Sequence, residues 1–368
     1  MKYCFDVIKD RRTTYSMKWD VADGELAMAL GDMDFEAPPA VKTAIIERAE
    51  HGIFGYTDVT GELFSAVSDF CTRRYSYTPS PEDMIFSTGV VASISSAVRK
   101  LTTPAENVVL LTPVYSIFFN CILNNGRVPL SCELEYKNGE YSIDFERLEG
   151  LLSLAQTSLM IFCNPHNPVG RIWTREELMR VGELCKKHGV TVVSDEIHAP
   201  LTDPSKPAYI PFAAASEVCR DISVTCISAS KAFNLAGLHC SVVIASNPLL
   251  RHKMWREINT SECGETGCFG ALASRVAFSE CDEWLDTLRE YIFENRRIAE
   301  EYIKDSVPLL KAVHSSATYF LWLDASNIGR SSREIAELVR EKSGLKLSVG
   351  SDFGLGGEHF LRMNVACP

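Results

Sequence analysis

The 368-residue chain has no CxxC pair among its thirteen cysteines, no HExxH and no GxxxxGK[ST]. Scattered cysteines in odd number support neither a disulfide framework nor a zinc knuckle, and the missing motifs remove the zinc-protease and P-loop readings. There is no surplus of positive charge. The 37 Lys and Arg against 48 Asp and Glu give a net charge of −11, which argues against a nucleic-acid surface but leaves room for a local pocket that takes a small anion. No apolar run opens the chain, because MKYCFDVIKDRR carries charges where a signal peptide needs an apolar stretch. The longest uncharged apolar stretch, 108–123, contains Pro113 and ends in Asn124-Asn125-Gly126, too short for a membrane span. No repeat or low-complexity tract interrupts the chain. These absences point to a soluble, cytoplasmic protein.

What is present is ordinary globular composition, 46% apolar and 23% charged, which excludes a disordered, collagenous or coiled-coil chain. The length predicts two domains, or one large domain with an appendage. Through the middle, apolar runs at 107–112, 159–163, 190–194 and 222–228 alternate with helical patterns at 115–123 and 174–188. Runs that are apolar throughout are strands covered on both faces, so the middle reads as a three-layer α/β sheet. The flanks differ: a long amphipathic helix at 282–304 precedes strands at 319–323, 345–349 and 360–365. The spacing predicts a large domain over 46–250 and a smaller α+β domain built from both chain ends, 1–45 and 251–368.

The chemistry concentrates where strands end. Ser228-Ala229-Ser230-Lys231 follows the 222–228 run. A lysine just past a buried strand, preceded by hydroxyls, suits Schiff-base attachment of pyridoxal phosphate, with Ser228 donating to the phosphate; a surface loop lysine is the plainer alternative. Asp195, at the end of the 190–194 strand, lies at the carboxyl edge where α/β proteins bind ligands. Ionised there, it would keep a pyridine nitrogen protonated. In Asn164-Pro165-His166-Asn167-Pro168-Val169-Gly170, which also reads as a Pro/Gly turn, Asn167 is a neutral donor for a phenolate oxygen. Ser87-Thr88-Gly89-Val90-Val91 opens a helical run whose first N–H groups could receive phosphate, and Tyr115 could stack on a planar ring. Gly354-Leu355-Gly356-Gly357 is a turn rather than a dinucleotide fingerprint, because no strand precedes it and no helix follows. Cys163 and Cys226 fall in predicted buried strands and read as packing residues.

SASKAFNLAG, SDEIH, NPHNPVGR and LRMNVACP, in that fold context, resemble the fold-type I pyridoxal-phosphate enzymes of the class I/II aminotransferase superfamily. With FDVIKDRRTTYSMKWD, GDMDFEAPPAV and HGIFGYTD added, the chain is most similar to the carbon–sulfur β-lyases, the cystathionine β-lyases of the MalY/PatB type. The resemblance covers nearly the whole chain. It implies an aspartate aminotransferase-like large domain with a smaller α+β domain, pyridoxal 5′-phosphate as cofactor, and a homodimer with its active site at the subunit interface. Carried over, Lys231 binds the cofactor covalently and acts as acid and base, Asp195 meets the pyridine nitrogen, Asn167 meets O3′ and Tyr115 stacks on the ring. Val90, Val91, Ser228 and Ser230 surround the phosphate, and Tyr56 reaches the neighbouring subunit's phosphate. His198 lies near the cofactor, and Arg362 clamps the substrate α-carboxylate, with Asn167 alongside.

The chain departs from the wider superfamily in having His198 three residues after Asp195, where many aminotransferases carry tyrosine. His239 stands where many carry a phosphate-binding arginine. The chain stops at Pro368, where relatives usually continue into another helix. The implied activity is α,β-elimination of L-cystathionine or related cysteine thioethers to thiol, pyruvate and ammonia. An aminotransferase for aromatic or other neutral amino acids, and a regulatory protein retaining the fold, are the alternatives. Residues 33–38 and 319–322 are the expected shapers of the substrate pocket.

Overall fold

The computed structural model describes residues 3–368. Seven strands form the main sheet: β1 (Met84–Ser87), β2 (Asn107–Thr112), β3 (Val128–Glu133), β4 (Thr157–Cys163), β5 (Thr191–Asp195), β6 (Ser223–Ile227) and β7 (Ser241–Ile244). Their spatial order is β1-β7-β6-β5-β4-β2-β3. All neighbours from β6 to β3 are parallel, and β7 alone runs antiparallel to both β6 and β1. The central strands are apolar on both faces because both faces are covered. Helices α1 (Pro39–Glu50) and α2 (Gly61–Tyr75) come before the sheet. Val108, Leu110, Ile161 and Val193 pack on the side of helix α3 (Val90–Leu101), whereas Val109, Leu111, Met160 and Val192 pack toward Leu178, Val181 and Cys185 of helix α4 (Arg175–Lys187). The α/β fold is as the sequence predicts. Cys163 and Cys226 are buried, and all thirteen cysteines are free thiols.

The helix expected over 174–188 starts one residue later. Thr174 is its N-cap, in a capping box with Glu177 that satisfies two donors reciprocally. The helix expected from 115 begins at Ile117. Tyr115 instead makes a turn closed by Phe118 N–H at 3.1 Å, after Val114 N–H has gone to the Phe353 carbonyl at 2.9 Å.

A second, antiparallel sheet contains β8 (Lys311–Ala312), β9 (Phe320–Asp324), β10 (Ser348–Val349) and β11 (Phe360–Asn364), in the order β8-β9-β11-β10. The single strand expected over 345–349 is two short pieces. Leu345–Lys346 pairs in parallel with Leu26–Ala27, and after Leu347 the chain changes partner to β11. The two chain ends therefore meet in this layer. The limits at 45/46 and 250/251 fall inside helices Pro39–Glu50 and Pro248–Thr260. The latter packs on α3, and Gly270–Glu280 packs on Gly61–Tyr75, so residues beyond 250 continue in the helical layer around the main sheet. The two sheets share a core. Trp322 stacks on Phe360 with ring centroids 5.1 Å apart, in the same cluster as Trp173 and Val169. Among the described residues, no helix is long and apolar enough to cross a membrane.

Residues 28–35 form a strap between the sheets. Asp34 fastens it, accepting from Arg11 Nη1 at 2.7 Å, Lys18 Nζ at 2.8 Å and Trp19 Nε1 at 2.8 Å, while Arg11 Nη2 reaches Asp32 at 2.5 Å. The N-terminal block and the GDMDF segment are thus one ionic network. The Lys18 side chain is 1% exposed, and a buried charge that loses its partner keeps its full desolvation cost. Asp34→Ala is expected to lower stability by about 3 kcal/mol, measured as the shift in denaturant midpoint; an unchanged midpoint would show that the strap is held by its backbone bonds alone.

Candidate active site

Lys231 follows β6, and Arg362 lies in β11 of the second sheet, so the main fold brings together residues 131 positions apart. Lys231 is half-buried over its whole surface, but its amine end is enclosed and donates to the Gly31 carbonyl at 2.6 Å. Burial, then the Arg362 charge, lowers its pKa from 10.5 to about 8. Arg362 is buried and faces no carboxylate. Its Nη1 donates to Asn167 Oδ1 at 3.2 Å, its Nη2 to the Ala29 carbonyl at 3.0 Å and Ser348 Oγ at 3.3 Å, and its Nε has no partner. The guanidinium lies 4.0 Å over the Phe320 ring and 4.8 Å from that of Phe353. Such planar stacking leaves the fork directed by packing rather than by an ion pair. Burial brings its pKa down to about 10.

Asp195 is the last residue of β5, paired between Cys163 and Cys226 at the carboxyl edge of the sheet. It is 5% exposed, and its carboxylate accepts one bond, from Ile197 N–H at 3.1 Å. Burial pushes its pKa from 3.8 up to about 6, against the smaller pull of Ile197 N–H and the Lys231 charge. His198, on the turn after Asp195, is buried edge-on to Tyr319 and Phe320 with Nδ1 unpartnered; burial, and then the charges of Lys231 and Arg362, hold it neutral. Asn167 is buried in the loop after β4. That loop is locked at Gly170, whose carbonyl accepts from Ser316 and Ala317 N–H groups at 2.8 and 3.0 Å. Gly170 has φ +69°, and a Cβ there would come within 2.7 Å of the Ala317 carbonyl, so the motif glycine is required by close approach as well as by backbone angle.

Gly89, at φ 153°, precedes α3, which starts at Val90 without a side-chain cap. The first N–H groups of that helix, Val90 and Val91 included, therefore have no intrahelical acceptor. Ser228 Oγ donates to the Cys240 carbonyl at 2.6 Å, lies 2.9 Å from Ser230 Oγ and accepts from Ser230 N–H at 3.1 Å. Tyr115 is half-buried against Phe118, and burial raises its pKa. Tyr56 is fully exposed and makes no part of this pocket within one chain. His239 ends the turn at Ala236–Leu238 with φ 48°.

Of the expected pocket shapers, Met33 and Trp322 are buried in the core rather than lining the site, and Trp322 Nε1 is held by Tyr141 OH at 3.0 Å. Tyr319 falls in the 319–322 stretch expected to shape the pocket and does reach the site, whereas Asn234 and Asn364 are not among the candidates that the sequence offers. Tyr319 OH donates to the same Gly31 carbonyl as Lys231, at 2.8 Å. Asn234 and Asn364 bind the strap backbone. Both asparagines sit inside motifs already quoted, and a buried amide in an apolar context must find backbone partners; that was the available signal.

Pyridoxal phosphate fits this arrangement. The free N–H groups of α3 and the Ser228–Ser230 hydroxyls can take a phosphate, and the buried Asp195 lacks the cationic partner that a protonated ring nitrogen would supply. The enclosed Lys231 amine lies in interaction range of Asp195. An enclosed lysine amine, a buried aspartate and a carboxylate-free arginine at the edge of this seven-stranded sheet suit a fold-type I pyridoxal-phosphate site. The chain belongs to the aminotransferase class I and II family, whose model matches residues 24–368. It is 42% identical over 370 residues to cystathionine beta-lyase PatB of Bacillus subtilis (strain 168), across 99% of this chain and 95% of that protein. It superposes on cystalysin from Treponema denticola, which contains a pyridoxal 5′-phosphate cofactor, with a TM-score of 0.96 and 31% identity over 100% of this chain and 95% of that one. The PLP-bound C-S lyase from Staphylococcus hominis gives a TM-score of 0.91 and 31% identity over 100% of this chain and 94% of that one.

A carboxyl whose folded pKa is about 6 rather than 3.8 binds its proton more tightly folded than unfolded. The stability this contributes is complete below pH 4 and is lost as pH rises through 6. Above that, ionised Asp195 costs on the order of 3 kcal/mol. Asp195→Asn, measured by denaturant unfolding of the cofactor-free protein, is expected to be more stable than wild type by roughly that amount at pH 8, with the gain vanishing toward pH 4. A variant less stable at pH 8 would mean that Asp195 is better compensated than its single hydrogen bond indicates.

Proposed function

We propose that the substrate of this pyridoxal-phosphate-dependent β-lyase-type enzyme is L-cystathionine or a related cysteine thioether, cleaved by α,β-elimination to thiol, pyruvate and ammonia. The observation that carries the reading is the enclosed Lys231 amine beside an Arg362 fork that lacks a carboxylate, in a chain 42% identical to PatB. A free α-amino acid supplies that carboxylate. Arg362 binds it through paired N–H groups, with Asn167 alongside.

Bound pyridoxal phosphate supplies an electron sink for a carbanion at the substrate Cα. Asp195, ionised in its buried place, would hold a proton at the ring nitrogen, while Asn167 would donate to O3′ and Tyr115 would cover the ring face. Val90 and Val91 N–H groups with Ser230 would hold the phosphate, joined by Ser228 once its hydroxyl turns from the Cys240 carbonyl. Lys231 Nζ takes the Cα proton, and a pKa near 8 suits an amine that must both accept and return a proton near neutrality. His198, neutral and buried, adds no charge to a pocket that already holds two cations. Thiolate, with a pKa of about 8.5, leaves with little acid assistance, which favours cleavage at Cβ–S over return of the proton. Tyr56, fully exposed in one chain, reaches the cofactor phosphate of a second copy. Further support for a homodimer comes from the other large apolar side chains exposed in the N-terminal region, Ile8, Tyr15, Met17, Ile53 and Phe54, which a partner subunit would cover.

The test is pyruvate release from L-cystathionine by the cofactor-loaded protein with no keto acid added. Sustained multiple turnover is expected; turnover that requires a keto acid would make the protein an aminotransferase. Lys231→Ala should lose both pyruvate release and the near-visible absorbance of the attached cofactor while remaining folded, and wild-type turnover in that variant would remove Lys231 from the mechanism. Arg362→Ala is expected to raise KM by at least tenfold, the loss of a charge-assisted hydrogen-bonded pair. Unchanged KM and kcat would move the carboxylate clamp elsewhere.

A further inference from the structure

Carbonyls along the strap face alternately to its two sides. Those of Met28, Leu30 and Asp32 go to Asn364: the first accepts its backbone N–H at 2.8 Å, and the other two accept both hydrogens of its Nδ2 at 2.6 and 2.9 Å. Those of Ala29 and Gly31, on the opposite side, go to the two cations of the site, Arg362 and Lys231. Asn364 is completely buried, and its remaining atom, Oδ1, accepts from Ala366 N–H at 2.8 Å, so both amide hydrogens and the oxygen are engaged. Further along the strap, Asn234 makes three bonds to it. Its Nδ2 donates to the Met33 and Phe35 carbonyls at 3.0 and 2.7 Å, and its Oδ1 accepts from Met33 N–H at 3.2 Å. Asn234 does so from φ +56°, a conformation that asparagine tolerates better than most residues. One asparagine lies three residues after Lys231 and the other two residues after Arg362.

We infer that Asn234 and Asn364 are positioning residues. By gripping the strap on either side of Gly31, they fix the Gly31 carbonyl as the acceptor that holds the Lys231 ammonium whenever the amine is free. The step served is the proton transfer from substrate Cα to Lys231 Nζ. The proton transferred adds one N–H bond and a full charge to the amine, and the Gly31 carbonyl is already 2.6 Å away to accept from it. Gly31 also permits the approach, since a Cβ there would lie 3.4 Å from Nζ and 3.3 Å from the Phe320 ring. The groups that face Lys231 come from every neighbouring element: Arg362 from β11 opposes its charge, Asp195 from β5 and Asp32 from the strap favour it, and buried His198 adjoins it. Asp32 is shared with Arg11. Tyr319 OH competes for the same Gly31 carbonyl at 2.8 Å.

The inference rests on Lys231 being the reacting amine, but its test does not require turnover. The full chain, freed of cofactor, is acylated with acetic anhydride across a pH series, and the Lys231 peptide is quantified by mass spectrometry. Asn234→Gly keeps the left-handed backbone and removes the amide, so the acylation midpoint is expected to fall by about one pH unit, the size of one lost hydrogen bond to a charged group. Tyr319→Phe keeps the packing and removes the competing donor, so its midpoint is expected to rise. In the loaded enzyme, the alkaline limb of kcat moves in the same two directions. A purely structural role for the asparagine would lower stability and leave both midpoints at the wild-type value. An unmoved midpoint in Asn234→Gly, or a lowered one in Tyr319→Phe, overturns the inference. Loss of cystathionine cleavage by the wild type would overturn only the substrate reading.

Discussion

Two cations share one enclosed pocket, and among the described residues neither Lys231 nor Arg362 has a carboxylate within ion-pair distance. Burying unpaired charge is among the most costly things a fold can do, so everything around the site is arranged to make that burial tolerable without neutralising it. Backbone carbonyls from the strap take the N–H bonds of both cations, and aromatic faces from Phe320 and Phe353 lie against the guanidinium. The strap's own carboxylates are engaged elsewhere: Asp34 binds Arg11, Lys18 and Trp19, and Asp32 binds Arg11, which leaves Asp195 as a carboxylate that favours the Lys231 charge without forming an ion pair with it. A pocket wired this way keeps its positive charge available for an incoming carboxylate.

The N-terminal segment therefore belongs to the chemistry even though it contributes no reacting group. Arg11, Lys18 and Trp19 converge on Asp34, Asp34 sets the strap, and the strap presents alternate carbonyls to Asn364 and to the two cations. That chain of contacts explains why a block of charged and aromatic residues, remote from Lys231 in sequence, accompanies the lysine motif in a protein of this type. It also accounts for how the two sheets are joined. Leu26–Ala27 pairs with Leu345–Lys346 just before the strap begins, so the register of the second sheet and the position of Arg362 are set together.

Much of this was legible in the sequence, for reasons that differ by element. Strands 107–112, 190–194 and 222–228 announced themselves because burial on both faces forces continuous apolar runs, and the residues just beyond them are the ones a parallel sheet presents to ligands. The 345–349 segment reads as one strand; nothing local records that Leu345–Lys346 and Ser348–Val349 pair with different partners. Residues 33–38 and 319–322 read as pocket segments, but a strand alternates its sides, so the Trp322 ring belongs to the core layer with Phe360, and Met33 packs into the core beside the strap. Asn234 and Asn364 were passed over because a side-chain amide declares no partner in sequence. What they bind is backbone, which has no residue-type signature at all.

The same logic bears on how the site treats phosphate. The position where many relatives carry an arginine holds His239, which ends a turn in a left-handed conformation. In the proposed site, the charge on a bound phosphate would then fall to backbone N–H groups at the start of α3 and to hydroxyls at Ser228 and Ser230. Such donors form a site of fixed dipoles rather than of full charges, and they add nothing to the positive charge already confined around Lys231 and Arg362. A third cation beside them would add to that unpaired positive charge, whereas the dipoles of N–H groups and hydroxyls add none. Because the donors are fixed to a helix end and a strand end, the cofactor's phosphate can be held without altering the electrostatic balance between Asp195, Lys231 and Arg362 on which proton transfer depends.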